Sequence, residues 1–256
     1  MTQFTDRADL AAALDEVGYL VDEGLVTALF LAQAIRQPLL LEGEPGVGKT
    51  TAAKAMAGVL GGPFLRLQCY EGISAAEAIY EWNYARQLLE IRAGEAGSGA
   101  VSVADLFDEE HLLGRPLLDA VRHEGPEPAV LLIDEIDRAD DEFEALLFEF
   151  LAEQSVTVPE LGTFTAAVAP VVFLTSNRSR ELHDALKRRC LYHWIDFPSV
   201  ERSASIVRRN VADAAESLVT AATAFVHEAR QLDLDKPPGI AAAIDWVGAL
   251  HALGVT

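Results

Sequence analysis

The fold is decided by one glycine-rich stretch, Gly43-Glu44-Pro45-Gly46-Val47-Gly48-Lys49-Thr50. It matches the phosphate-loop pattern, which is a glycine, four further residues and then Gly-Lys-Thr. The apolar run 38–42 precedes it and predicts a buried strand, and the helix-forming run 51–60 follows it. The stretch therefore joins a strand to the start of a helix, where free backbone N–H groups and the positive end of the helix dipole face a bound anion.

The residue types of this loop suit a nucleotide. Glycines let the backbone curve round phosphate groups without Cβ clashes, Lys49 offers a charge to the β- and γ-phosphates, and the hydroxyl of Thr50 can ligate Mg²⁺. The predicted nucleotide-binding residues are Gly43, Glu44, Pro45, Gly46, Val47, Gly48, Lys49, Thr50 and Thr51. The alternative, a glycine-rich turn that binds nothing, is disfavoured because both the strand and the helix flank the loop.

Two further strands are predicted to end in polar residues. One apolar run, typical of a strand buried on both faces, ends in Asp134 and Glu135. Asp134 can enter the Mg²⁺ shell, and Glu135 can act as general base on the attacking water. A second apolar run ends in Asn177, which can face that water or the γ-phosphate; the alternative is a turn-forming asparagine. For Asp137, a structural capping role is the favoured interpretation.

Composition limits the class of protein. The chain has 256 residues, enough for one large core or a core with a small second domain. Its formal net charge of −20 disfavours a general nucleic-acid surface, because phosphate contacts are made by Lys and Arg. Cys69 and Cys190 lie far apart and show no metal or disulfide spacing, so buried thiols are expected. With no leader pattern and no apolar run of about 18 residues, a cytoplasmic protein without a membrane span is predicted.

The remaining pattern alternates between strands and helices and then becomes wholly helical. The other predicted strands are 63–69, the hairpin 156–158 with 163–165, and 191–195. The other predicted helices are 23–35, a stretch from Asp105 through Leu113, 116–121, 141–152, 199–210, 213–230 and 239–253, with a flexible link at 94–99. The predicted fold is α/β, a parallel sheet flanked by helices (residues 1–198), followed by a small all-α domain (residues 199–256). In the segment before the first predicted strand, Val17, Tyr19 and Val21 are candidates to pack over the base of a nucleotide or to serve as ordinary core residues.

This order of elements resembles an AAA+ ATPase, a class of phosphate-loop NTPase. Among phosphate-loop proteins, two runs make the resemblance to AAA+ ATPases specific: Leu131-Leu132-Ile133-Asp134-Glu135 and Leu174-Thr175-Ser176-Asn177. The amino-acid sequence of residues 41–50 and the predicted hairpin at 156–165 resemble those of the MoxR branch of AAA+ proteins. Tyr80-Glu81-Trp82-Asn83-Tyr84 and residues 186–192 are similar to its CoxD-type members, which are associated with maturation of carbon monoxide dehydrogenase and related molybdenum enzymes. The resemblance covers nearly the whole chain.

The resemblance implies a role for each matching residue. Lys49 and Thr50 take the Walker A roles, Asp134 and Glu135 the Walker B roles, and Asn177 the sensor 1 role. The arginine finger, which reaches the γ-phosphate of a neighbouring subunit, falls at Arg189 or, as second choice, at Arg188; the alternative is a surface arginine pair. ATP and Mg²⁺ are the implied cofactors. The implied assembly is a ring, commonly a hexamer, acting on a protein client with a von Willebrand factor A domain partner.

The sequence departs from the AAA+ pattern in two places. Residues 235–242, where many AAA+ proteins carry a sensor 2 arginine, contain none, so either Lys236 substitutes poorly or this branch does without it. The helical tail is also short for such a lid domain.

A nucleotide-gated scaffold with little turnover is the main rival to a remodelling ATPase. The presence of Glu135 disfavours the scaffold, because a scaffold needs no catalytic base. A DNA-directed motor is disfavoured by the charge, and a small-molecule kinase gives Asn177 and the tail no role.

Overall fold

The computed structural model describes residues 4–96, 102, 106–232, 234 and 236–255. Its centre is a five-stranded parallel sheet with the strand order β2-β5-β8-β1-β9. These strands are β1 Leu39–Glu42, β2 Phe64–Gln68, β5 Val130–Asp134, β8 Val171–Ser176 and β9 Leu191–Trp194. Two short antiparallel pairs lie outside it: β3 Tyr80–Trp82 with β4 Leu112–Gly114, and β6 Ser155–Val158 with β7 Gly162–Thr165.

Helices cover both faces of the sheet and form the tail of the chain. In order they are α1 Arg7–Glu16, α2 Glu23–Ala34, α3 Lys49–Leu60, α4 Ala75–Ala78, α5 Tyr84–Ala96, α6 Pro116–Arg122, α7 Asp141–Glu153, α8 Asp184–Lys187, α9 Val200–Asn210, α10 Glu216–Ala229 and α11 Ile240–Ala252. Neighbouring residues of one strand face opposite cores: Leu40 packs in one cluster, whereas Leu39 and Leu41 pack in the other. Burial on both faces explains why the central strands are continuous apolar runs. The predicted fold class is confirmed.

The prediction was wrong in the segment between β2 and β5. Leu112 and Leu113 belong to strand β4 rather than to the helical stretch predicted from Asp105, a residue that lies outside the described part of the chain. Leu112 is paired with Trp82 of β3, and the Trp82 ring meets Phe107 edge to face at 5.1 Å. These contacts join residues that lie far apart in sequence, so no local periodicity reveals them. The predicted link at 94–99 is helical through Ala96, and its last three residues lie outside the described part.

The helical tail has a core of its own. Helices α9, α10 and α11 pack around a buried cluster that draws all its members from residues 204–247. Ser199 caps α9 by accepting the N–H of Arg202 at 3.2 Å, which sets the start of the tail one residue after Pro198. Within the part of the chain that the structure describes, no helix is both long and apolar enough to cross a membrane.

Candidate active site

The phosphate loop runs from β1 into α3 and is shaped by glycine. Gly46 and Gly48 have φ angles of 81° and 102°, in the left-handed region that favours glycine. Gly48 is the N-cap of α3, and no side chain caps this helix end. The first backbone N–H groups of α3 are therefore left without a side-chain acceptor, as an anion-binding helix start requires.

Lys49 is buried beneath this loop and is hydrogen-bonded to its backbone. Its ammonium group donates to the backbone oxygens of Gly43 at 2.6 Å and Glu44 at 2.9 Å. Burial lowers the pKa of Lys49, and the nearby carboxylates, Asp137 foremost, oppose that shift. An ammonium has three donors, so one remains for a phosphate oxygen once the two backbone bonds are made.

Asp134 is the centre of a polar network at the carboxyl edge of the sheet. Its carboxylate is almost fully buried and lies 3.2 Å from the hydroxyl of Thr50. Thr175 of β8 donates to the same carboxylate and accepts the backbone N–H of Glu135 at 2.9 Å. Thr175 thus ties the two acidic residues to the neighbouring strand. The strand motif that contains Thr175 predicted no role for this residue.

Arg66 is a second residue that sequence reasoning missed. It lies on β2, and its guanidinium donates to Oδ2 of Asp134 through Nε at 2.9 Å and Nη2 at 2.5 Å. The arginine is nearly half exposed, whereas the aspartate is buried. The charge of the buried carboxylate is therefore balanced by a cation of the same chain. The register pairs Gln68 with Asp134, so Arg66 reaches the carboxylate only because its side chain is long.

The residues after β5 form a tight turn. Glu135 has a φ of 55°, an unusual backbone conformation for a residue other than glycine, and its carboxylate is 3.7 Å from Arg138. Asp137 is buried and accepts the N–H of Asn177 at 3.2 Å and the N–H of Ser179 at 2.8 Å. The Asp137 carboxylate thus fixes the turn that carries Asn177, which agrees with the structural role favoured for it.

These residues enclose a small cavity at the carboxyl edge of the sheet. Its volume is about 260 Å³, and its lining is Pro45, Gly46, Gly48, Lys49, Thr50, Thr51, Asp134, Glu135, Thr175, Asn177, Ile240, Ala241 and Ile244. One cation, a helix start and several oxygen ligands face one space, a combination that suits a triphosphate. Thr50 and Asp134 supply the hydroxyl and carboxylate oxygens that Mg²⁺ favours.

A second cavity of about 620 Å³ adjoins the phosphate loop at Val47, Gly48 and Thr51. Its walls come from the segment before β1, from β9 and the residues after it, and from the helices α9 and α11, and they combine apolar side chains with polar and charged ones such as Asp22, Asp196 and Arg202. Such a lining suits a base and sugar. Tyr19 lines this cavity, whereas Val17 and Val21 do not. His193, also in the lining, has its pKa lowered by burial.

The arginine pair lies at the opposite edge of the sheet. Residues 188 and 189 precede β9, whose first residue, Leu191, is level with Leu39 at the start of β1. Arg189 donates to the backbone oxygen of Ala185 at 3.0 Å and lies over the Phe148 ring at 5.3 Å. A four-residue strand spans roughly 13 Å, so the structure does not bring these arginines to the phosphate loop of their own chain.

Known proteins share this fold and sequence pattern. Residues 38–190 match the family described as AAA domain (dynein-related subfamily). The chain is 30% identical over 152 residues to Protein MoxR of Paracoccus denitrificans, covering 58% of this chain and 37% of the relative. It is 31% identical over 198 residues to the ATP-dependent zinc metalloprotease FtsH 3 of Sphaerobacter thermophilus, covering 73% and 32%. The chain thus spans about a third of the length of these curated relatives.

Two solved structures show the same fold at low sequence identity. A Cytophaga hutchinsonii protein, provisionally described as an ATPase, superposes with a TM-score of 0.56 at 17% identity, over 96% of this chain and 63% of that one. A mutant of RuvB from Thermotoga maritima gives a TM-score of 0.52 at 17% identity, over 91% and 63%. The resemblance to AAA+ proteins and to MoxR is confirmed. Because the family match covers more than half of its residues, this chain belongs to the dynein-related subfamily of AAA domains.

Proposed function

We propose that this chain is a MoxR-type ATPase domain that binds ATP with Mg²⁺, hydrolyses it, and uses the cycle to remodel a protein client. The observation that carries the proposal is the single cavity shared by Lys49, Thr50, Asp134, Glu135 and Asn177. Among the rival functions, a scaffold would need the loop and Lys49 but would have no use for a base beside Asn177.

Each residue contributes a separate step. The loop N–H groups and Lys49 bind and orient the triphosphate, while Thr50 and Asp134 hold Mg²⁺, which when bound offsets phosphate charge. Glu135 takes a proton from the attacking water, and Asn177 orients that water. Because Asp137 accepts the backbone N–H of Asn177 and Thr175 accepts that of Glu135, the main chain that carries the base and the orienting amide is held in place.

The assembly and the client extend the proposal beyond one chain. We infer that residues 1–198 form the nucleotide-binding domain and residues 199–256 a helical lid, in line with the separate core of the tail. We infer a homo-oligomeric ring, a hexamer by resemblance, in which Arg189 or Arg188 serves the neighbouring site. The client is a protein, with a von Willebrand factor A domain partner and, by resemblance to CoxD-type members, a place in molybdenum-enzyme maturation. The charge of −20 remains the ground for expecting no nucleic-acid partner.

The proposal is tested by separating binding from turnover. Lys49→Ala should abolish ATP binding, measured by calorimetry, whereas Lys54→Ala, an exposed lysine of the same helix, should leave it intact. Glu135→Gln should keep ATP binding and stop phosphate release, with Glu149→Gln on α7 as its matched control. Normal turnover by Glu135→Gln would remove the glutamate from the mechanism. Binding without turnover by the unaltered chain, at every protein concentration, would favour the scaffold.

A further inference from the structure

The helical tail touches the phosphate loop through its main chain. Helix α11 begins at Ile240, and the N–H of this residue donates to the backbone oxygen of Gly46 at 3.1 Å. Ile240, Ala241 and Ile244 of the same helix line the cavity that holds Lys49 and Asp134. The last described helix of the chain is therefore part of the wall of the site.

Two glycines make this approach possible. A Cβ atom on Gly239 would lie 2.7 Å from both Cα and the backbone oxygen of Gly46, closer than side-chain carbons come to backbone. The backbone of Gly239, with φ −80° and ψ −178°, is open to any residue. Glycine is thus required at position 239 for the close approach rather than for the backbone angle. At Gly46, by contrast, the φ of 81° already favours glycine.

The segment leading to Gly239 is anchored on the other side. Arg230, at the end of α10, donates through Nε to the backbone oxygen of Pro238 at 2.8 Å. Its guanidinium lies over the ring of Phe197, with 4.2 Å to the ring centre. Phe197 lines the larger cavity and lies at the junction between the sheet and the tail. A short path of contacts therefore joins that junction to the phosphate loop.

We propose that Gly239 is a positioning residue that couples the phosphate loop to the helical tail by a main-chain contact, with no charged side chain at the contact. The inference rests on the proposed ATP site and states how that site senses and moves the tail. The peptide between Gly46 and Val47 is planar, so a tail bonded to its oxygen also fixes the direction of its N–H. A phosphate that orders the loop then favours the docked tail, and a docked tail favours phosphate by the same free energy.

Gly239→Ala tests the coupling with a matched control on the same helix. The added methyl group should force α11 away from the loop, whereas Gly248→Ala adds a methyl group that meets nothing within 4 Å. We expect Gly239→Ala to weaken binding of N-methylanthraniloyl-ATP roughly tenfold, the scale of a small steric misfit. We also expect it to abolish ATP-induced protection of α11 from hydrogen exchange, while the variant stays folded with a single melting transition. Gly248→Ala should match the unaltered chain in nucleotide affinity and in the ATP-induced gain of protection, although alanine inside the helix slows its basal exchange.

A second pair of variants tests the contact from the side of the tail, since Ile240→Pro both removes the N–H that donates to Gly46 and puts a ring carbon in its place. Ile240→Pro deletes the donor N–H at the first helical position, where proline is tolerated, and the extended backbone of Gly239 suits a following proline. Ile240→Ala loses the side chain but keeps the N–H. If the main-chain bond carries the coupling, the proline variant should lose more affinity and more ATP-induced protection than the alanine variant.

The outcomes separate this inference from the proposed function. Unchanged nucleotide affinity and unchanged protection of α11 in Gly239→Ala would overturn the coupling while leaving an ATP site in place. Failure of the unaltered chain to bind the nucleotide would instead contradict the proposed function. In that case, faster exchange of α11 in ligand-free Gly239→Ala than in the ligand-free unaltered chain would still support the contact, and equal exchange would overturn it.

Discussion

The two edges of the central sheet differ in where their charged groups find partners. At the carboxyl edge, Lys49, Asp134 and Asp137 are buried, and each is bonded to groups of its own chain. At the amino edge, within the described part of the chain, the Arg188 side chain has no hydrogen bond or ion pair, and Arg189 is held by one backbone oxygen and a ring. The charged groups of one edge are therefore satisfied within the chain, whereas the arginines of the other edge lie far from the phosphate loop of their own chain. Under the proposed function, this difference means that one chain would suffice to bind ATP, whereas turnover would need an arginine from a neighbouring chain.

The largest effect should come from the amino edge. We expect Arg189→Ala to lower kcat about 10³-fold in the assembled protein, because an arginine from a neighbouring chain stabilises charge in the transition state. ATP affinity should stay near normal, since Lys49 and the loop are untouched. The measurement is the ATPase rate against protein concentration, with molar mass followed by light scattering. Arg188→Ala should have a far smaller effect, and the reverse ranking would move the finger to Arg188.

A mixing experiment tests whether that arginine acts between chains. Glu135→Gln keeps Arg189 but cannot turn over, whereas Arg189→Ala keeps the base but lacks the finger. Mixed assemblies should therefore regain activity, because an intact site of one variant then meets an intact arginine of the other. No recovery in assemblies shown to be mixed would argue against an arginine supplied by the neighbouring chain, and would remove the contrast between the two edges.

An intermediate effect should come from the turn behind Asn177. Three donors, the N–H groups of Asn177 and Ser179 and the Ser179 hydroxyl, converge on the Asp137 carboxylate. In Asp137→Asn an amide NH₂ would face some of these donors, so the turn should shift and kcat should fall about 10²-fold, the cost of a displacement near 1 Å. ATP affinity, measured by calorimetry, should change little.

Ser179→Ala serves as the milder comparison for this prediction. It removes one donor and leaves the carboxylate and both N–H bonds in place, so its kcat should lie between those of Asp137→Asn and the unaltered chain. If Asp137→Asn bound and turned over ATP normally while remaining folded, the carboxyl-edge network would be dispensable for positioning Asn177.

Residue roles that follow from the local sequence pattern could be predicted, whereas roles that depend on contacts between distant segments could not. The runs ending in Glu42, Asp134 and Ser176 are apolar because both faces of each strand are buried, so their positions and the edge where they end follow from pattern alone. Thr175 and Arg66 acquire roles only when strands β2, β5 and β8 are placed side by side, which no single run of sequence specifies.

The same limit explains the other differences between sequence and structure. Gly239 appears in the sequence as an ordinary helix start, and its close approach to Gly46 exists only once the tail is docked. The ribbon of β3 and β4 consists of two three-residue strands, too short for an alternating pattern, so its partners are chosen by the packing of Trp82 rather than by local propensity.

The smallest effect should come from replacing Arg66. This variant tests whether Arg66 balances the charge of the Asp134 carboxylate when no metal is bound. Its guanidinium donates to Oδ2 of Asp134, so it would compete for that carboxylate with a bound Mg²⁺ and would repel the metal's charge. Because Arg66 is nearly half exposed, the pair contributes only about 0.5–1 kcal/mol. Arg66→Ala should therefore lower the Mg²⁺ concentration for half-maximal nucleotide binding by about 2–5-fold, measured by fluorescence with N-methylanthraniloyl-ATP. Arg66→Lys keeps a cation and should remain close to the unaltered chain. A rise in the Mg²⁺ requirement would mean that Arg66 assists the bound nucleotide instead of competing with the metal.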